Sequence, residues 1–124
     1  MPPAPDPSPR AHFRARLLSA IEPGAIRPTP FTGSPWSLDR VYPPFFHGPS
    51  FHVIARVTAI AVDGIEARGR TPDGTLTPWA ATIEGAFQTL GLWSMAVGGV
   101  MALPRSVGRI HLIGPFDPGA THQA

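Results

Sequence analysis

The 124-residue chain contains no cysteine and no lysine. Without cysteine it has no disulfide framework, no thiolate zinc site and no cysteine nucleophile. Without lysine, a Schiff-base mechanism and a P-loop phosphate site are excluded. All ten basic residues are therefore arginines, and the formal net charge is only +2. No window has the basic run that a phosphate-backbone binder shows, so we expect no nucleic-acid partner.

Charge is also absent from the stretch between Gly85 and Pro104, which is almost long enough to span a membrane. Its apolar residues recur with helical periodicity and Gln88 lies among them, so we interpret it as a buried helix followed by a turn. The first nine residues include five prolines and lack the apolar region of a signal peptide. We therefore expect a cytoplasmic protein with no membrane partner.

Proline is abundant but unevenly placed, because 12 of the 17 prolines lie in residues 1–49. The hydrophobic fraction of 43% is sufficient for a core, and the length suits one small domain. We predict that residues 1–40 form a proline-rich tail and linker. This segment includes one weakly alternating stretch at 12–18 that predicts a strand or a short helix. Residues 41–124 are expected to form the folded domain.

The folded part predicts an antiparallel hairpin followed by a helix. Residues 51–62 are rich in β-branched and apolar side chains and predict a strand, and residues 65–70 predict the returning strand. Between them, Asp63-Gly64 is typical of a tight type I′ turn, in which glycine accepts a positive φ. A second turn is expected at 72–74.

One long helix is predicted over 79–97, after Pro78 and before Gly98-Gly99, where a helix commonly ends. Apolar side chains at helical spacing define its expected buried face: Trp79, Ile83, Ala86, Phe87, Leu90 and Val97. A further strand is predicted at 106–113, and turn-like composition follows it. The fold class is therefore α+β.

Three segments, in order, resemble the second hotdog of polyketide synthase dehydratase domains. Residues 42–51 (YPPFFHGPSF) resemble the aromatic-Gly-Pro-x-Phe signature that opens this hotdog. Residues 83–93 (IEGAFQTLGLW) resemble the family's Leu-Asp-x-x-x-Gln helix motif, and residues 103–112 (LPRSVGRIHL) resemble the strand that follows. A weaker match at 12–18 resembles the strand before this half-domain. The resemblance implies a hotdog-like fold, in which an antiparallel sheet wraps around one long central helix.

By the same resemblance the hotdog is partial, because the family continues with further strands after residues 109–112. Such a hotdog has uncovered sheet edges and an uncovered helix face. The resemblance therefore implies a second hotdog as partner, in a homodimer or a heterodimer.

The chemistry implied by the resemblance is removal of water from a β-hydroxyacyl thioester carried on the phosphopantetheine of an acyl carrier protein. Glu84 stands at the position of the family's catalytic aspartate, and Gln88 at that of the residue that orients it. The family's base is a histidine in a His-x-x-x-Gly-x-x-x-x-Pro motif of the first hotdog, which this chain does not contain. The histidine is therefore expected from a partner hotdog, and no cofactor is implied.

The residues themselves also single out Glu84, the only acidic residue between Asp73 and Asp117. Gln88 lies one helical turn later, so the two side chains share a face. The alternative for Glu84 is a solvent-exposed acid near the helix start, stabilised there by the helix dipole. The alternative for Gln88 is a polar residue at the edge of the apolar face.

The resemblance also assigns a substrate-binding role to the segment around the Gly-Pro pair: Tyr42, His47, Gly48, Pro49 and Phe51. We expect the Gly-Pro backbone to shape a substrate channel. For His47, the alternative is a turn histidine whose ring packs near Phe46 and Phe51.

The remaining histidines do not predict a metal site, because no carboxylate or third ligand clusters with them in the sequence. His52 and His111 are expected to be ordinary sheet residues. Trp79, Phe87 and Trp93 are expected in the core. A second function stays open beside the enzyme: a non-catalytic, truncated hotdog module that serves assembly of a synthase or docking of a carrier protein.

Overall fold

The computed structural model describes residues 31–74, 76–110 and 121–123. Within these ranges the chain forms an antiparallel sheet whose four strands lie side by side in chain order: β1 (Ser34–Trp36), β2 (Ile54–Ala61), β3 (Gly64–Gly69) and β4 (Thr121–Gln123). One long helix, α1 (Pro78–Gly98), contacts the last three strands. The prediction of an α+β fold with a single long helix packed on an antiparallel sheet is confirmed. The stretch at 12–18 lies outside the described residues. Two 3₁₀ helices lie at Leu38–Arg40 and Pro49–Phe51.

The predicted hairpin is formed by β2 and β3, but its turn is one residue earlier than expected. Ala61 pairs with Gly64, so the turn consists of Val62 and Asp63. Among the described residues only Gly74 and Gly99 have positive φ, so the type I′ turn predicted at Asp63-Gly64 is wrong. Gly64 is instead a buried strand residue, which extends the ladder to the end of β2.

Strand β1 lies in a segment that the sequence predicted as linker. Ser34 pairs with Ile60 and Trp36 with Val57, so β1 covers the edge of β2. The approach is close at Gly33, where a Cβ would lie 2.7 Å from the carbonyl oxygen of Ile60. Only glycine avoids this backbone clash. The proline-rich sequence around Gly33 did not predict that a strand forms there.

Helix α1 begins and ends close to the predicted residues. The Thr77 hydroxyl accepts a hydrogen bond from the backbone N–H of Ala80 (3.3 Å), and Pro78 takes the first helical position. Gly99 ends the helix in the left-handed conformation, with φ 68°, and donates to the carbonyl of Met95. Among the described residues, no helix has both the length and the apolar character needed to cross a membrane.

The buried face of α1 differs from the predicted apolar face. Its buried residues are Ala81, Gly85, Gln88, Thr89, Gly91 and Leu92. Ala86, Leu90 and Val97 are exposed instead, and Phe87 is half-buried. Small side chains allow close approach of the helix to the sheet, so the larger apolar side chains lie at its flanks. Of the expected core aromatics, Trp93 packs against the core and donates through Nε1 to the carbonyl of Ala61 (3.0 Å).

The core lies between α1 and the sheet, with residues of the connecting segments packed at its edge. Its buried apolar members are Val41, Ile54, Val57, Ile60, Ile65, Ala67 and Leu92. Most of these come from the two hairpin strands. In β3 the core residues Ile65 and Ala67 alternate as in a regular strand. In β2 the register shifts twice, so its core residues are three positions apart. The hairpin is thus the surface on which the helix and the residues of the site are placed.

The strand predicted at 106–113 is wrong for its described part. Residues 101–110 form no strand and are exposed. The strand that extends the sheet after the helix is β4, where Ala67 pairs with His122. Alternating composition at 106–110 did not produce a strand because β4 occupies the edge of β3.

Candidate functional site

Glu84 lies on the second turn of α1 and faces a histidine from the loop before β2. Its side chain is 27% exposed, and Oε1 lies 3.0 Å from Nε2 of His47. The same oxygen accepts a hydrogen bond from Nε2 of Gln88 (2.9 Å). Glu84 is therefore only partly exposed and has specific partners, so the alternative of a solvent-exposed acid near the helix start does not hold.

Gln88 is the centre of a buried hydrogen-bond network. Its side chain is 2% exposed, so it is not at the edge of an apolar face. Its amide nitrogen donates to Glu84 and to the carbonyl oxygen of Phe51 (2.8 Å). Its Oε1 accepts from the hydroxyl of Tyr42 (3.1 Å). With all these bonds made, the amide of Gln88 holds Oε1 of Glu84 in one orientation.

Tyr42 fixes the orientation of this amide. Its hydroxyl accepts from the backbone N–H of Ile54 (2.8 Å) at the start of β2, so its own hydrogen is free to point to Gln88. A hydroxyl that donates to Oε1 requires the amide oxygen on that side and the NH₂ group towards Glu84. The network therefore connects the sheet backbone to the carboxyl group on the helix.

His47 is held by aromatic rings and by its own backbone. Its ring stacks on Phe46 (4.6 Å between centroids) and meets Phe45 edge-on (5.2 Å). Nε2 of His52 donates to the carbonyl oxygen of His47 (3.0 Å). The side chain of His47 is 15% exposed, and Nδ1 is buried without a hydrogen-bond partner among the described residues. The imidazole therefore presents Nε2 alone to the site.

Glu84 and His47 line a cavity of about 190 Å³. Its other polar lining residue is Gln88, and its apolar walls are Phe46, Phe87, Ala102, Leu103 and Pro104. An acid and an imidazole at the wall of a mostly apolar space can transfer protons to and from a bound molecule. Phe87, predicted to be core, is thus part of the cavity wall.

The residues predicted to bind substrate separate into two groups. His47 lines the cavity, whereas Tyr42, Gly48, Pro49 and Phe51 do not. Tyr42 and the carbonyl of Phe51 hold Gln88, and Gly48-Pro49 leads into the short 3₁₀ helix. Tyr42 and Phe51 thus support the site through Gln88 and do not line its cavity.

Sequence reasoning missed His52 and the direct contact between His47 and Glu84. His52 was expected in a strand, but it follows the 3₁₀ helix and stacks on Tyr42 (3.8 Å between centroids). The density of aromatic rings between residues 42 and 52 was the available signal. The contribution of the Phe51 carbonyl left no signal, because a backbone acceptor is present at every residue.

Tyr42 is the only tyrosine in the chain, so an absorbance titration reports on it alone. Burial, the largest effect, raises the pKa of Tyr42 above its usual value near 10. The hydroxyl therefore ionises at a lower pH in the unfolded chain than in the folded protein. Its contribution to stability is complete below about pH 10 and is lost as the pH rises through the pKa of the folded protein. We expect Tyr42→Phe to weaken the loss of stability above about pH 10. An equal alkaline loss in both proteins would contradict this.

Within the described residues, no group of three or more histidine and acidic side chains could bind a metal ion. His111, the other histidine expected in a strand, lies outside these residues. Comparisons of the chain with protein-family models, curated proteins and solved structures gave no match.

Proposed function

We propose that the chain is a dehydratase-type enzyme component that removes water from β-hydroxyacyl thioesters carried by an acyl carrier protein. The observation that carries the proposal is the cavity itself. Its walls come from all three segments that resemble the dehydratase hotdog: His47 from the first, Glu84 and Gln88 from the second, and Leu103 and Pro104 from the third. Segments that resemble one family and meet around one acid support a common role.

In the proposed reaction Glu84 protonates the departing β-hydroxyl group. A general acid must be oriented towards the leaving group, and typically contributes about 100- to 10,000-fold in rate. Gln88 supplies that orientation, because its amide is fixed by Tyr42 and holds Oε1. The role that the resemblance assigns to each residue agrees with the contacts that each residue makes.

The cavity favours an acyl substrate. Five of its eight lining residues are apolar, which suits the hydrocarbon of an acyl chain. Its 190 Å³ is below the ~300–1,000 Å³ of most small-molecule pockets. We therefore propose that it holds only the reacting end of the chain, with the phosphopantetheine arm and the carrier protein outside it.

The test uses the full chain and the pantetheine thioester of 3-hydroxybutyrate as probe. We expect formation of the enoyl thioester and water, measured by mass spectrometry of the thioester. The assay is run with the chain alone and with a separate histidine-bearing dehydratase hotdog. No turnover in either preparation would contradict the proposal.

A second candidate, the non-catalytic assembly module, is favoured by one observation. Apolar side chains are exposed along the second half of α1 and the segment after it: Leu90, Val97, Val100, Met101, Leu103, Val107 and Ile110. Such a surface is typical of a protein interface, and a second hotdog would cover it in the proposed fold. A stable complex without turnover in the assay above would favour this function over the enzyme.

A further inference from the structure

We infer that His47 is the base that removes the α-proton, so that acid and base belong to the same chain. The inference rests on the proposed function and changes the expectation that the histidine comes from a partner hotdog. Its basis is the position of His47: Nε2 lies 3.0 Å from Oε1 of Glu84, and both side chains line the cavity.

Elimination among the cavity walls leads to the same residue. Besides Glu84, the described residues that line the cavity include one further ionisable side chain, His47. Gln88 is an amide and cannot accept the proton, and the remaining walls are apolar. If Glu84 gives its proton to the leaving group, His47 is the group in this wall that can take one.

The ring of His47 is also positioned for this role. Phe46 stacks on the ring, Phe45 meets it edge-on, and His52 donates to the backbone carbonyl of the same residue. A catalytic group that is already held in its reactive orientation avoids the entropic cost of reaching that orientation during the reaction. Because Nδ1 is buried, Nε2 is the nitrogen that faces the cavity.

The proposed step balances within this pair. The lone pair on Nε2 takes the α-proton, the electrons of the broken C–H bond form the Cα=Cβ double bond, and the C–O bond to the β-hydroxyl breaks. The carboxyl group of Glu84 gives its proton to the departing hydroxyl, which leaves as water. The products are the enoyl thioester, water, an imidazolium and a carboxylate.

The short contact then completes the cycle. After water leaves, the proton on Nε2 lies within hydrogen-bond distance of Oε1 and can pass directly to the carboxylate. This transfer restores a neutral imidazole and a protonated acid without a proton from solvent. The contact is thus a route for returning the proton between turnovers.

The test is His47→Gln in the thioester assay, with and without the added hotdog. We expect turnover to fall by about 100-fold or more, as for loss of a general base. We expect His47→Ala to be restored in part by added imidazole, because the free ring can enter the space beside Glu84. Glu84→Gln should gain nothing from imidazole, since it lacks the acid. Circular dichroism of each variant checks that it is folded.

The outcomes separate the inference from the proposed function. If the wild type turns over the thioester and folded His47→Gln does so at the same rate, the inference is wrong and the dehydratase proposal stands. A loss in His47→Ala that imidazole does not restore would make His47 a structural residue and overturn the inference. No turnover by the wild type in either preparation would overturn both.

Discussion

Replacement of Glu84 by glutamine is expected to lower enoyl thioester formation by at least about 100-fold, the contribution typical of a general acid. The amide has nearly the same shape, so it can keep its place on the helix. It cannot give a proton to the departing hydroxyl, and its NH₂ group competes with the NH₂ group of Gln88 that now donates to Oε1. The measurement is the rate of thioester dehydration, with thermal unfolding as the check on folding.

Glu66→Gln is the matched control for this variant. Glu66 is the other half-buried glutamate among the described residues, and it lies on β3, where its Oε1 accepts from the hydroxyl of Thr58 (2.7 Å). It does not line the cavity. We expect Glu66→Gln to keep the wild-type rate. Equal rates in the wild type and Glu84→Gln would remove Glu84 from the mechanism and leave the family resemblance to be tested by other means.

Replacement of Gln88 by leucine is expected to cost on the order of 3 kcal/mol in the free energy of unfolding, because each buried polar group that loses its partner costs about 1–3 kcal/mol. Leucine is similar in size, but it leaves the Tyr42 hydroxyl, the Phe51 carbonyl and the Glu84 carboxyl without their bonds to the amide. Turnover should fall as well, because Glu84 loses its orienting group. Denaturant unfolding measures the first effect and the thioester assay the second.

Thr89→Val provides the control at the adjacent helix position. Thr89 is fully buried, like Gln88, but its hydroxyl makes a single bond to the carbonyl of Gly85 in its own helix (2.7 Å). We expect a cost of about 1 kcal/mol, the net value of one ordinary hydrogen bond, and an unchanged rate. Similar losses of stability in the two variants would mean that the hydrogen bonds of Gln88 contribute no more to the free energy of unfolding than one ordinary hydrogen bond.

The parts of the fold that the sequence predicted are those set by local chemistry. Helix α1 was predicted because Pro78 and Gly98-Gly99 mark its two ends and apolar residues recur at helical spacing between them. The hairpin was found because β-branched residues surround a turn. Glu84 and Gln88 were paired correctly because residues four apart in a helix share a face.

The parts that were missed depend on contacts between distant segments. The prediction of the buried face of α1 was wrong because several of the buried residues are small, and small residues contribute little to a hydrophobic pattern. The meeting of His47 with Glu84 joins residues 37 positions apart, and it follows from how the loop before β2 crosses the helix. Strand β4 was not predicted because it is only three residues long. So short a strand, which pairs with the edge of β3, requires no alternation of polar and apolar residues in its own sequence.

The bond between the Ile54 amide and Tyr42 has a consequence for observing the site. That amide hydrogen is protected from exchange with solvent water for as long as the tyrosine hydroxyl stays in place, and the hydroxyl in turn holds Gln88. Exchange at this one backbone position therefore requires that its bond to Tyr42, the group that orients Gln88, is broken. Deuterium uptake at Ile54 thus reports how far the support of Gln88 opens, and it can be measured without substrate.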